Sequence, residues 1–437
     1  MANETKQKAP RRYEKMRDSG VEWIGMVPEH WNVERLQWHL EEINHTNNPV
    51  KTANILSLTN KLGVVPYEEK GNQGNKAKEN LSDYKLAYPN CIVANSMNIL
   101  IGSVGLCNYF GCVSPVYYVF KAKDLNDIRF FNYVFGLTNF QKELRKYANG
   151  ILEIRLRVSA SNILKRRVAI PPYSEQLSIA DFLDNIISKI DSIIAEAKAS
   201  IEEYKAWKSS IIYEAVTKGL DPTAEMKDSG VEWIGKIPAH WAFGKIKRVA
   251  QFAPKCDFSR LKDDVLITFT PMECIRNGYF ENRGKQLNTI TGSYTPYSEG
   301  DIVFAKVTPC FENGNICIMK NLYSGVGLGS SELFVLRAHS INTEYLFYYL
   351  QHPGFVQRAC ASMTGTGGLK RVSGDFVQNC PLPIPPEEEQ HKIVDFLNRR
   401  CTAIEQLISD KNALLEELES YKKSLIHEVV TGKRKVV

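Results

Sequence analysis

The sequence predicts an α+β protein with two sheet-containing domains, each followed by one long helix. Three observations predict this class. One unit occurs twice in the chain, the interior of each copy carries strand-like apolar runs before a helical pattern, and each copy ends in more than 40 residues of helical periodicity. A chain of 437 residues with 43% apolar and 24% charged side chains has enough apolar material to bury a core in each domain.

The repeat is visible at both ends of each copy. Of the 16 residues in Met16–Trp31, 12 are identical to those of Met226–Trp241, which lie 210 positions further along. A second block, Ile170–Gln176, returns as Ile384–Gln390 at an offset of 214, and this offset persists through the rest of the copy. Chance does not produce such matches, so we predict two copies of one structural unit.

Between the matched ends lie about 140 residues in which identity is lost while the order of elements is kept. The strands predicted at matched positions are Cys91–Ala94 and Val116–Phe120 in the first copy and Asp301–Phe304 and Leu333–Leu336 in the second. A helix is predicted after them, over Arg129–Tyr147 and over Glu344–Val356. Diversification toward two different targets and neutral drift on a duplicated scaffold both explain the divergence.

The constant offset in the last part of each copy predicts a long helix, because one slipped residue would rotate a packed face away from its partner. Both helices follow Pro-Pro, and apolar residues recur with alternating spacings of four and three. The positions expected to pair the helices are Leu183, Ile187, Ile190, Ile194 and Ile201 in the first and Leu397, Ile404, Ile408, Leu415 and Leu418 in the second. Polar residues interrupt these tracks at Lys208, Lys411 and Lys422. At ~1.5 Å per residue, each helix is a spacer of ~65 Å.

These patterns divide the chain into six segments. The expected segments are a flexible basic tail at 1–15, a first variable domain at 16–173, a helix at 174–219, a second variable domain at 220–387, a helix at 388–432 and a basic tail at 433–437. Solvated disorder is expected for both tails.

Composition and motifs narrow the function classes. The first 20 residues are polar and no apolar run approaches the ~18 residues of a membrane helix, so we expect a cytoplasmic protein without a signal peptide. The net charge of +6 is mild, and any contact with a polyanion must therefore be local. The ten cysteines contain no Cys-x-x-Cys pair, so reduced thiols are expected rather than structural zinc.

Signatures of catalysis are missing or defective. The loop Ile170–Tyr173 is similar to the Asn/Asp-Pro-Pro-Tyr/Phe loop of amino-methyltransferases but lacks the polar residue, and its twin Ile384–Glu387 also lacks the aromatic one. The segment 364–370 does not satisfy the phosphate-loop pattern, and no metalloprotease or serine-hydrolase motif occurs. The matched His30 and His240, each beside a Trp, predict a packed corner rather than a metal ligand. We therefore expect a non-catalytic chain without a metal site.

Basic residues gather at the C-terminal edge of each variable domain. They are Arg155, Arg157, Lys165, Arg166 and Arg167 in the first domain and Lys370 and Arg371 in the second. The triplets Arg157-Val158-Ser159 and Arg371-Val372-Ser373 coincide at the offset of 214. Arg binds phosphate or guanine with two hydrogen bonds and Ser can donate to phosphate, so the triplet suits a DNA contact. A surface turn with an incidental salt bridge is the alternative explanation.

Taken together, these features resemble the specificity (S) subunit of type I restriction-modification systems. The resemblance rests on the Ser-Gly-Val-Glu-Trp-Ile-Gly…Pro-x-His-Trp opening, the Ile-Pro-Pro…Glu-Gln start of each helix and the order domain, helix, domain, helix, and it extends from Met16 to Thr431. It implies two target recognition domains in a pseudo-two-fold arrangement, each reading one half of a bipartite, asymmetric site in double-stranded DNA. It also implies that the two long helices pair antiparallel and hold the half-sites apart.

The resemblance further implies partners. Two methyltransferase (M) subunits would dock on the helices and methylate an adenine in each half-site, and two restriction (R) subunits would complete an ATP-dependent nuclease. The chain itself would bind no cofactor, because S-adenosylmethionine, ATP and Mg would belong to the partner subunits. A non-DNA coiled-coil scaffold with two protein-binding domains and a self-contained methyltransferase are the alternatives.

No short motif of the family identifies the base-reading residues. We nominate as DNA-binding the two repeated triplets together with the basic residues and loop beside them: Arg155, Arg157, Ser159, Thr364, Gly365, Lys370, Arg371 and Ser373. Asn95-Ser96 and Ala305-Lys306, just beyond matched strands, are further candidates. The first domain has Asn149-Gly150-Ile151 where the second has 364–368, so the two loops need not contact DNA alike.

Overall fold

A computed structural model gives the fold of the chain. It describes residues 11–59, 63–71, 80–149, 156–259, 261–366 and 368–436. Packing divides the chain into two units, and one of them joins the two ends of the sequence. Unit 1 consists of Met1–Ala197 with Ala413–Val437, and unit 2 consists of Lys198–Asn412.

In its described residues, domain 1, the sheet-rich part of unit 1, consists of short strands, three α-helices and short 3-10 helices. The strands are β1 (Met16–Asp18), β2 (Met26–Pro28), β3 (Asn32–Arg35), β4 (Leu40–Glu42), β5 (Leu56–Thr59), β6 (Gly63–Pro66), β7 (Lys85–Ala87), β8 (Cys91–Asn95), β9 (Val104–Cys107), β10 (Gly111–Val113), β11 (Tyr117–Ala122) and β12 (Arg167–Ile170). The helices are α1 (Ile128–Gly136), α2 (Thr138–Arg145) and α3 (Ala160–Leu164). The main sheet is antiparallel with the order β4-β11-β8-β9, and β3 pairs with β12.

The long helix α4 (Tyr173–Lys218) follows domain 1 and leads into domain 2, the sheet-rich part of unit 2. The strands of domain 2 are β13 (Met226–Asp228), β14 (Lys236–Pro238), β15 (Ala242–Lys245), β16 (Ala250–Phe252), β17 (Leu266–Thr270), β18 (Gly284–Gln286), β19 (Thr295–Ser298), β20 (Ile302–Ala305), β21 (Ile316–Ile318), β22 (Val326–Gly329), β23 (Leu333–Ala338) and β24 (Pro381–Ile384). Its helices are α5 (Thr343–Tyr349), α6 (Pro353–Ala361) and α7 (Gly374–Asn379), and the long helix α8 (Glu387–Val430) follows.

The main sheets of the two domains have the same strand order, and each domain combines an antiparallel main sheet with helices, which confirms the predicted α+β class. The main sheet of domain 2 has the order β16-β23-β20-β21, element for element that of domain 1, and β15 pairs with β24 as β3 pairs with β12. The four predicted strands are present as β8, β11, β20 and β23. Domain 2 differs in a second sheet, β18-β17-β22-β19, where domain 1 has the separate pairs β5-β6 and β7-β10.

Both predicted domain helices are wrong as single elements. The helix expected over Arg129–Tyr147 is divided into α1 and α2 because Leu137 is extended (φ −69°, ψ 125°), with its side chain buried. The helix expected over Glu344–Val356 is divided before Pro353, which lacks the N–H that a continuing helix would need. The breaks occur at matching places in the two copies.

Each long helix is divided between the two units, with one half in each. Helix α4 has 46 residues and α8 has 44, lengths of about 69 and 66 Å at the rise of an α-helix. In unit 1, Leu183 belongs to the core cluster that holds Val429, whereas Asp191 lies 2.6 Å from Lys422, so the two halves run antiparallel. Of the expected pairing positions, Leu183, Ile190, Ile201, Leu397, Ile404 and Leu415 are buried and Ile187, Ile194, Ile408 and Leu418 are partly buried.

The polar interruptions of the apolar tracks form contacts between the helices. In unit 1, Lys422 Nζ lies 2.6 Å from Asp191 Oδ1, and in unit 2, Lys208 Nζ lies 2.6 Å from Glu405 Oε1. These two ion pairs are copies of one another at the offset of 214. Because an ion pair on an otherwise apolar seam is satisfied in one register only, it selects that register against slipped alternatives.

A repeated hydrogen-bond set joins each domain to the start of its helix, and we call it the helix-start contact. In unit 1, the carboxylate of Glu175 accepts from Trp31 Nε1 at 3.0 Å and lies 2.6 Å from His30 Nε2. In unit 2, Glu389 contacts Trp241 at 2.8 Å and His240 at 2.7 Å. The packed corner predicted for the two histidines is present, with a carboxylate in the first turn of each helix as its acceptor.

The glutamine that follows each of these carboxylates is buried and makes two hydrogen bonds. Gln176 accepts from the backbone N–H of Asp127 at 3.0 Å and donates to the carbonyl of Pro171 at 3.0 Å. Gln390 makes the same two bonds to Asn342 and Pro385, at 2.7 and 2.8 Å. The repeated Glu-Gln pair therefore fixes the direction in which each helix leaves its domain.

The prediction of solvated tails is wrong for the residues that the structure describes. Tyr13 donates to Glu175 at 2.9 Å, and burial together with this carboxylate raises the pKa of its hydroxyl. The backbone N–H of Lys435 donates to Arg11 O at 2.8 Å, and Lys433 Nζ donates to Ile24 O at 2.7 Å. The described residues of both tails therefore make contacts within unit 1.

The described residues contain neither a candidate membrane span nor a cluster of metal-ligand side chains. In the described ranges, no helix is both long and apolar enough to cross a membrane. Among the same residues, no three His, Cys, Asp or Glu side chains come together as metal ligands would.

We predict that Glu175→Gln destabilises unit 1 by about 1–3 kcal/mol, because hydrogen bonds to a charged acceptor are lost from Trp31, His30 and Tyr13. Glu389→Gln is the matched control, since Glu389 has the same two partners but no tyrosine in this contact, and its effect on unit 2 should be smaller. Hydrogen exchange read by mass spectrometry, separately for peptides of each unit, measures both losses. Equal protection in Glu175→Gln and wild type would contradict the role of the contact.

Candidate nucleic-acid interface

The two Arg-Val-Ser triplets have matching backbone positions. In domain 2, the N–H of Val372 donates to the carbonyl of Lys306 at 2.8 Å, just beyond β20. In domain 1, the N–H of Val158 donates to Ser96 O at 3.4 Å, just beyond β8. The candidates that followed matched strands in the sequence, Ser96 and Lys306, therefore lie directly beside the triplets.

Within each triplet, the valine side chain is buried and the serine caps a helix. Val158 and Val372 are buried, whereas the preceding arginines are exposed. Ser159 and Ser373 are the N-caps of α3 and α7, and their hydroxyl oxygens accept backbone N–H bonds at 3.2 and 3.4 Å. Each hydroxyl proton remains available as a donor, so capping and the predicted phosphate contact are compatible.

The two arginines differ in their surroundings. In domain 2, Arg371 donates from Nε and Nη2 to the two carboxylate oxygens of Glu332, both at 2.9 Å. In domain 1, Arg157 Nη2 lies 3.5 Å from the sulfur of Met97, and no carboxylate within the described ranges pairs with it. Among the described residues, the same backbone site therefore carries an arginine–carboxylate ion pair in domain 2 and an arginine beside a methionine sulfur in domain 1.

The electrostatics of the domain 2 site follow from this pair. The hydrogen bonds from Arg371 lower the pKa of Glu332, and Lys306 lowers it further, so the carboxylate is ionised at neutral pH. Lys306 Nζ donates to the carbonyl of Ser331 at 2.7 Å, next to Glu332. Lys370 is exposed one residue before Arg371. The cluster of Lys306, Lys370, Arg371 and Glu332 has a net charge of +2.

The loop before the second triplet is held by its own backbone. Thr364 and Arg371 exchange both backbone hydrogen bonds, at 3.0 and 2.9 Å. Gly365 has a φ of 142°, and a Cβ there would collide with the carbonyl of Leu369. The hydroxyl of Thr308 accepts from the N–H of Lys370 at 3.0 Å. Thr364, Gly365 and Lys370 are all exposed, and their DNA contacts remain predictions.

The other basic candidates have local roles or lie outside the description. Arg155 lies outside the described residues. Arg166 stacks on the ring of Tyr147, 3.4 Å from its centroid, and donates to Asn162 O at 2.9 Å. Arg167 donates to the carbonyl of Val33 at 3.2 Å. Arg166 and Arg167 thus support the packing of domain 1.

Sequence reasoning missed Glu332. It is 39 positions from Arg371 and stands in the divergent interior, where the register of the paired strands gives Val116 as its counterpart. No repeat could mark it, because the two copies differ there. The only available signal was an acidic residue beside a predicted strand.

The fold is duplicated, and an arginine stands at the same backbone position in each copy. A sequence model of the type I restriction modification DNA specificity domain matches residues 32–203 and 238–417. These matches cover well over half of the sequence. The chain therefore belongs to the type I restriction-modification DNA specificity family.

Individual relatives agree with this assignment. The chain is 32% identical over 216 residues to the EcoAI type I restriction enzyme specificity subunit of Escherichia coli, covering 48% of this chain and 36% of the relative. The chain thus spans little more than a third of that relative. It is 22% identical over 448 residues to a putative MjaX specificity subunit of Methanocaldococcus jannaschii, covering 94% and 96% of the two chains.

Solved structures share the fold. A chain from a study of assembly of the type I restriction-modification system aligns with a TM-score of 0.69 at 12% identity, covering 92% of this chain and 98% of that one. The HsdS subunit from Thermoanaerobacter tengcongensis aligns with a TM-score of 0.51 at 14% identity, covering 93% and 98%. At such identities, the likeness concerns the architecture of the chain alone.

Proposed function

We propose that this chain is the DNA sequence-specificity subunit of a type I restriction-modification complex, with each domain reading one half of a bipartite, asymmetric site. The observation that carries the proposal is the Arg-Val-Ser site, which has the same backbone position in both domains. Family membership supports it. In this proposal the chain is non-catalytic, and S-adenosylmethionine, ATP and Mg bind to partner subunits.

The difference between the two arginine sites supports an asymmetric target. Arg371 is paired with Glu332, whereas Arg157 lies beside the sulfur of Met97. Two guanidinium groups on the same backbone frame but with different neighbours present different donors to DNA. Each domain is therefore expected to prefer its own half-site.

The first prediction from this proposal separates the half-sites. Arg371→Ala should weaken binding of the cognate duplex by about 1–3 kcal/mol and relax selectivity in one half-site, and Arg157→Ala should do the same in the other. Competition between duplexes with either half-site altered measures this. Arg283→Ala is the control, because it removes a surface arginine paired only with nearby Glu281 among its described contacts. Equal losses at both half-sites in either variant would contradict separate readers.

The same binding assay separates the proposal from a protein-binding scaffold. Contacts with several phosphates require that affinity for duplex falls steeply with added salt. A scaffold with two protein-binding domains would show no duplex binding at any salt concentration.

The helices are proposed to set the spacing of the half-sites. This is supported by the two repeated ion pairs, Lys422–Asp191 and Lys208–Glu405, which select one antiparallel register within each unit. Helices of 46 and 44 residues with a selected register make a spacer of defined length. Such a spacer suits duplex DNA, where distance is counted in base pairs.

We predict that seven residues inserted into both helices, after Ala197 and after Asn412, lengthen the preferred spacer by about three base pairs. Seven residues add about 10 Å of helix and keep the spacing of four and three, while duplex DNA rises ~3.4 Å per pair. Sequencing of methylated adenines in cells that carry the variant measures the spacer. Insertion into one helix alone is the control and should abolish methylation. An unchanged spacer in the variant with both insertions would refute the proposal that the helices set the spacing.

Repeated apolar side chains on the helix surfaces support docking of two identical partners. In unit 1, Ile193 and Tyr421 are 46% and 48% exposed, and in unit 2, Leu407 and Trp207 are 42% and 48% exposed. Ile193 matches Leu407, and Tyr421 matches Trp207, at the offset of 214. The ion pair Lys422–Asp191 places Tyr421 and Ile193 at nearly the same position along the helix axis. The ion pair Lys208–Glu405 does the same for Trp207 and Leu407. We propose that each pair binds one methyltransferase subunit.

Replacing the aromatic member should therefore remove partners one at a time. We predict that Trp207→Ala loses one methyltransferase subunit and that Trp207→Ala with Tyr421→Ala loses both, because Trp and Tyr are enriched among the few interface residues whose truncation costs about 2 kcal/mol or more. Light scattering of the complex reconstituted with the methyltransferase of the same system gives the stoichiometry. Ile101→Ala, an exposed aliphatic away from the helices, is the control. A full complex in the double variant would exclude this surface.

A further inference from the structure

We propose that Arg371 and Glu332 together form a guanine reader in the half-site of domain 2, in which Glu332 is a positioning residue that holds the guanidinium for two hydrogen bonds to the base. The inference rests on the proposed function and adds to it one base and one residue. It follows from the geometry of the ion pair, the anchoring of its two ends and the absence of the carboxylate from the matching position in domain 1.

The first step concerns the donors that Glu332 leaves available. A guanidinium carries five N–H groups, and Arg371 uses Nε and Nη2 on the carboxylate, each at 2.9 Å. Three N–H groups remain. One on Nη1 and one on Nη2 point in parallel away from the outer edge of the guanidinium group. Two parallel donors on such an edge match the O6 and N7 acceptors that guanine presents in the major groove. The Arg371 side chain is 46% exposed, so this edge is accessible.

Second, the backbone on both sides of the Arg371–Glu332 ion pair is held in place. Arg371 exchanges two backbone bonds with Thr364, and the next residue, Val372, is buried. Glu332 immediately precedes β23, and its carbonyl accepts from the N–H of Lys306 at 3.0 Å. Both partners of the ion pair thus stand on fixed backbone. A long side chain that is already oriented loses less conformational entropy on binding, and its donors reach a base edge in one geometry.

The third step concerns charge. Glu332 is ionised next to a surface proposed to face DNA, where a carboxylate repels phosphates. Its presence therefore reduces general affinity for DNA while it directs Arg371 toward one base, which is how a specific interface discriminates against wrong partners. An arginine without this partner is free to turn toward phosphate oxygens, which carry no sequence information.

Domain 1 provides the internal comparison. The register of β11 with β8 gives Val116 the position that Glu332 has in domain 2. The arginine of that site, Arg157, contacts the sulfur of Met97, and within the described residues it has no carboxylate partner. The guanine reader is therefore assigned to domain 2 alone, and the two half-sites are expected to differ at this base pair.

The experiment selects bound duplexes from a random-sequence library with the full-length chain assembled with its methyltransferase, in wild type, Glu332→Gln and Arg371→Lys. Wild type should require guanine at one position of one half-site. Glu332→Gln should lower that preference between about fivefold and a hundredfold. It should also strengthen binding to non-cognate duplex and steepen the salt dependence by about one phosphate contact, because one negative charge is removed. Arg371→Lys should also lower the preference, because an ammonium lacks the two parallel donors that Glu332 holds in place.

Glu281→Gln is the matched control. Glu281 makes the same two-point contact with Arg283, at 2.9 and 2.7 Å, in the same domain, and its substitution removes the same charge. A general effect of charge predicts the same change in Glu332→Gln and Glu281→Gln, whereas a positioning role predicts that Glu332→Gln loses base preference while Glu281→Gln keeps it. Unchanged guanine preference in Glu332→Gln, or a requirement for another base at the position that responds to Arg371→Lys, would overturn the inference. Wild type without any sequence preference would instead overturn the proposed function itself.

Discussion

One carboxylate in the first turn of each long helix determines how a domain is joined to its helix. Glu175 and Glu389 accept from an indole N–H and contact an imidazole of the strand region that opens the same copy. A negative charge there also interacts favourably with the helix dipole. Because the following glutamine is buried and makes two further bonds, the helix can leave the domain in one direction only. The pairing of the helix halves depends on that direction, and so do the positions of the exposed side chains along the helix axis.

The second constraint is that each long helix is shared between the two units, so that neither unit alone buries the whole apolar face of a helix. Each unit contains one half of α4 and one half of α8, so each domain packs against both helices. After α8 the chain turns at Gly432 (φ 72°), where a Cβ would collide with Pro28 of the opening strands. The end of the second copy is thus built into the start of the first. The matched residues of the sequence are the residues that make these connections, which explains why the ends of each copy are retained while the interiors diverge.

This division also explains what could be predicted. The repeat, the strands of the main sheets and the long helices follow from identity, apolar runs and spacing, which are local properties of the sequence. The break at Pro353 was available from the same information, because a proline rarely continues a helix. The break at Leu137 was not, because the apolar pattern continues through it and the extended backbone is stabilised by burial of that side chain. The packing of Tyr13 on Glu175 joins residues 162 positions apart and could not be derived from either segment.

The candidate site shows the same limit more sharply. Its backbone frame could be located because the Arg-Val-Ser triplet is repeated, and the frame consists of a buried valine and a capping serine that both copies need. The copies differ in the neighbour of the arginine, which is Glu332 for Arg371 and Met97 for Arg157, and the register gives Val116 as the counterpart of Glu332. A residue that gives each copy its own preference must differ between them, so no comparison of the copies can reveal it. Duplication therefore locates the shared backbone frame of the candidate site, and only the structure of each copy shows which side chains surround its arginine.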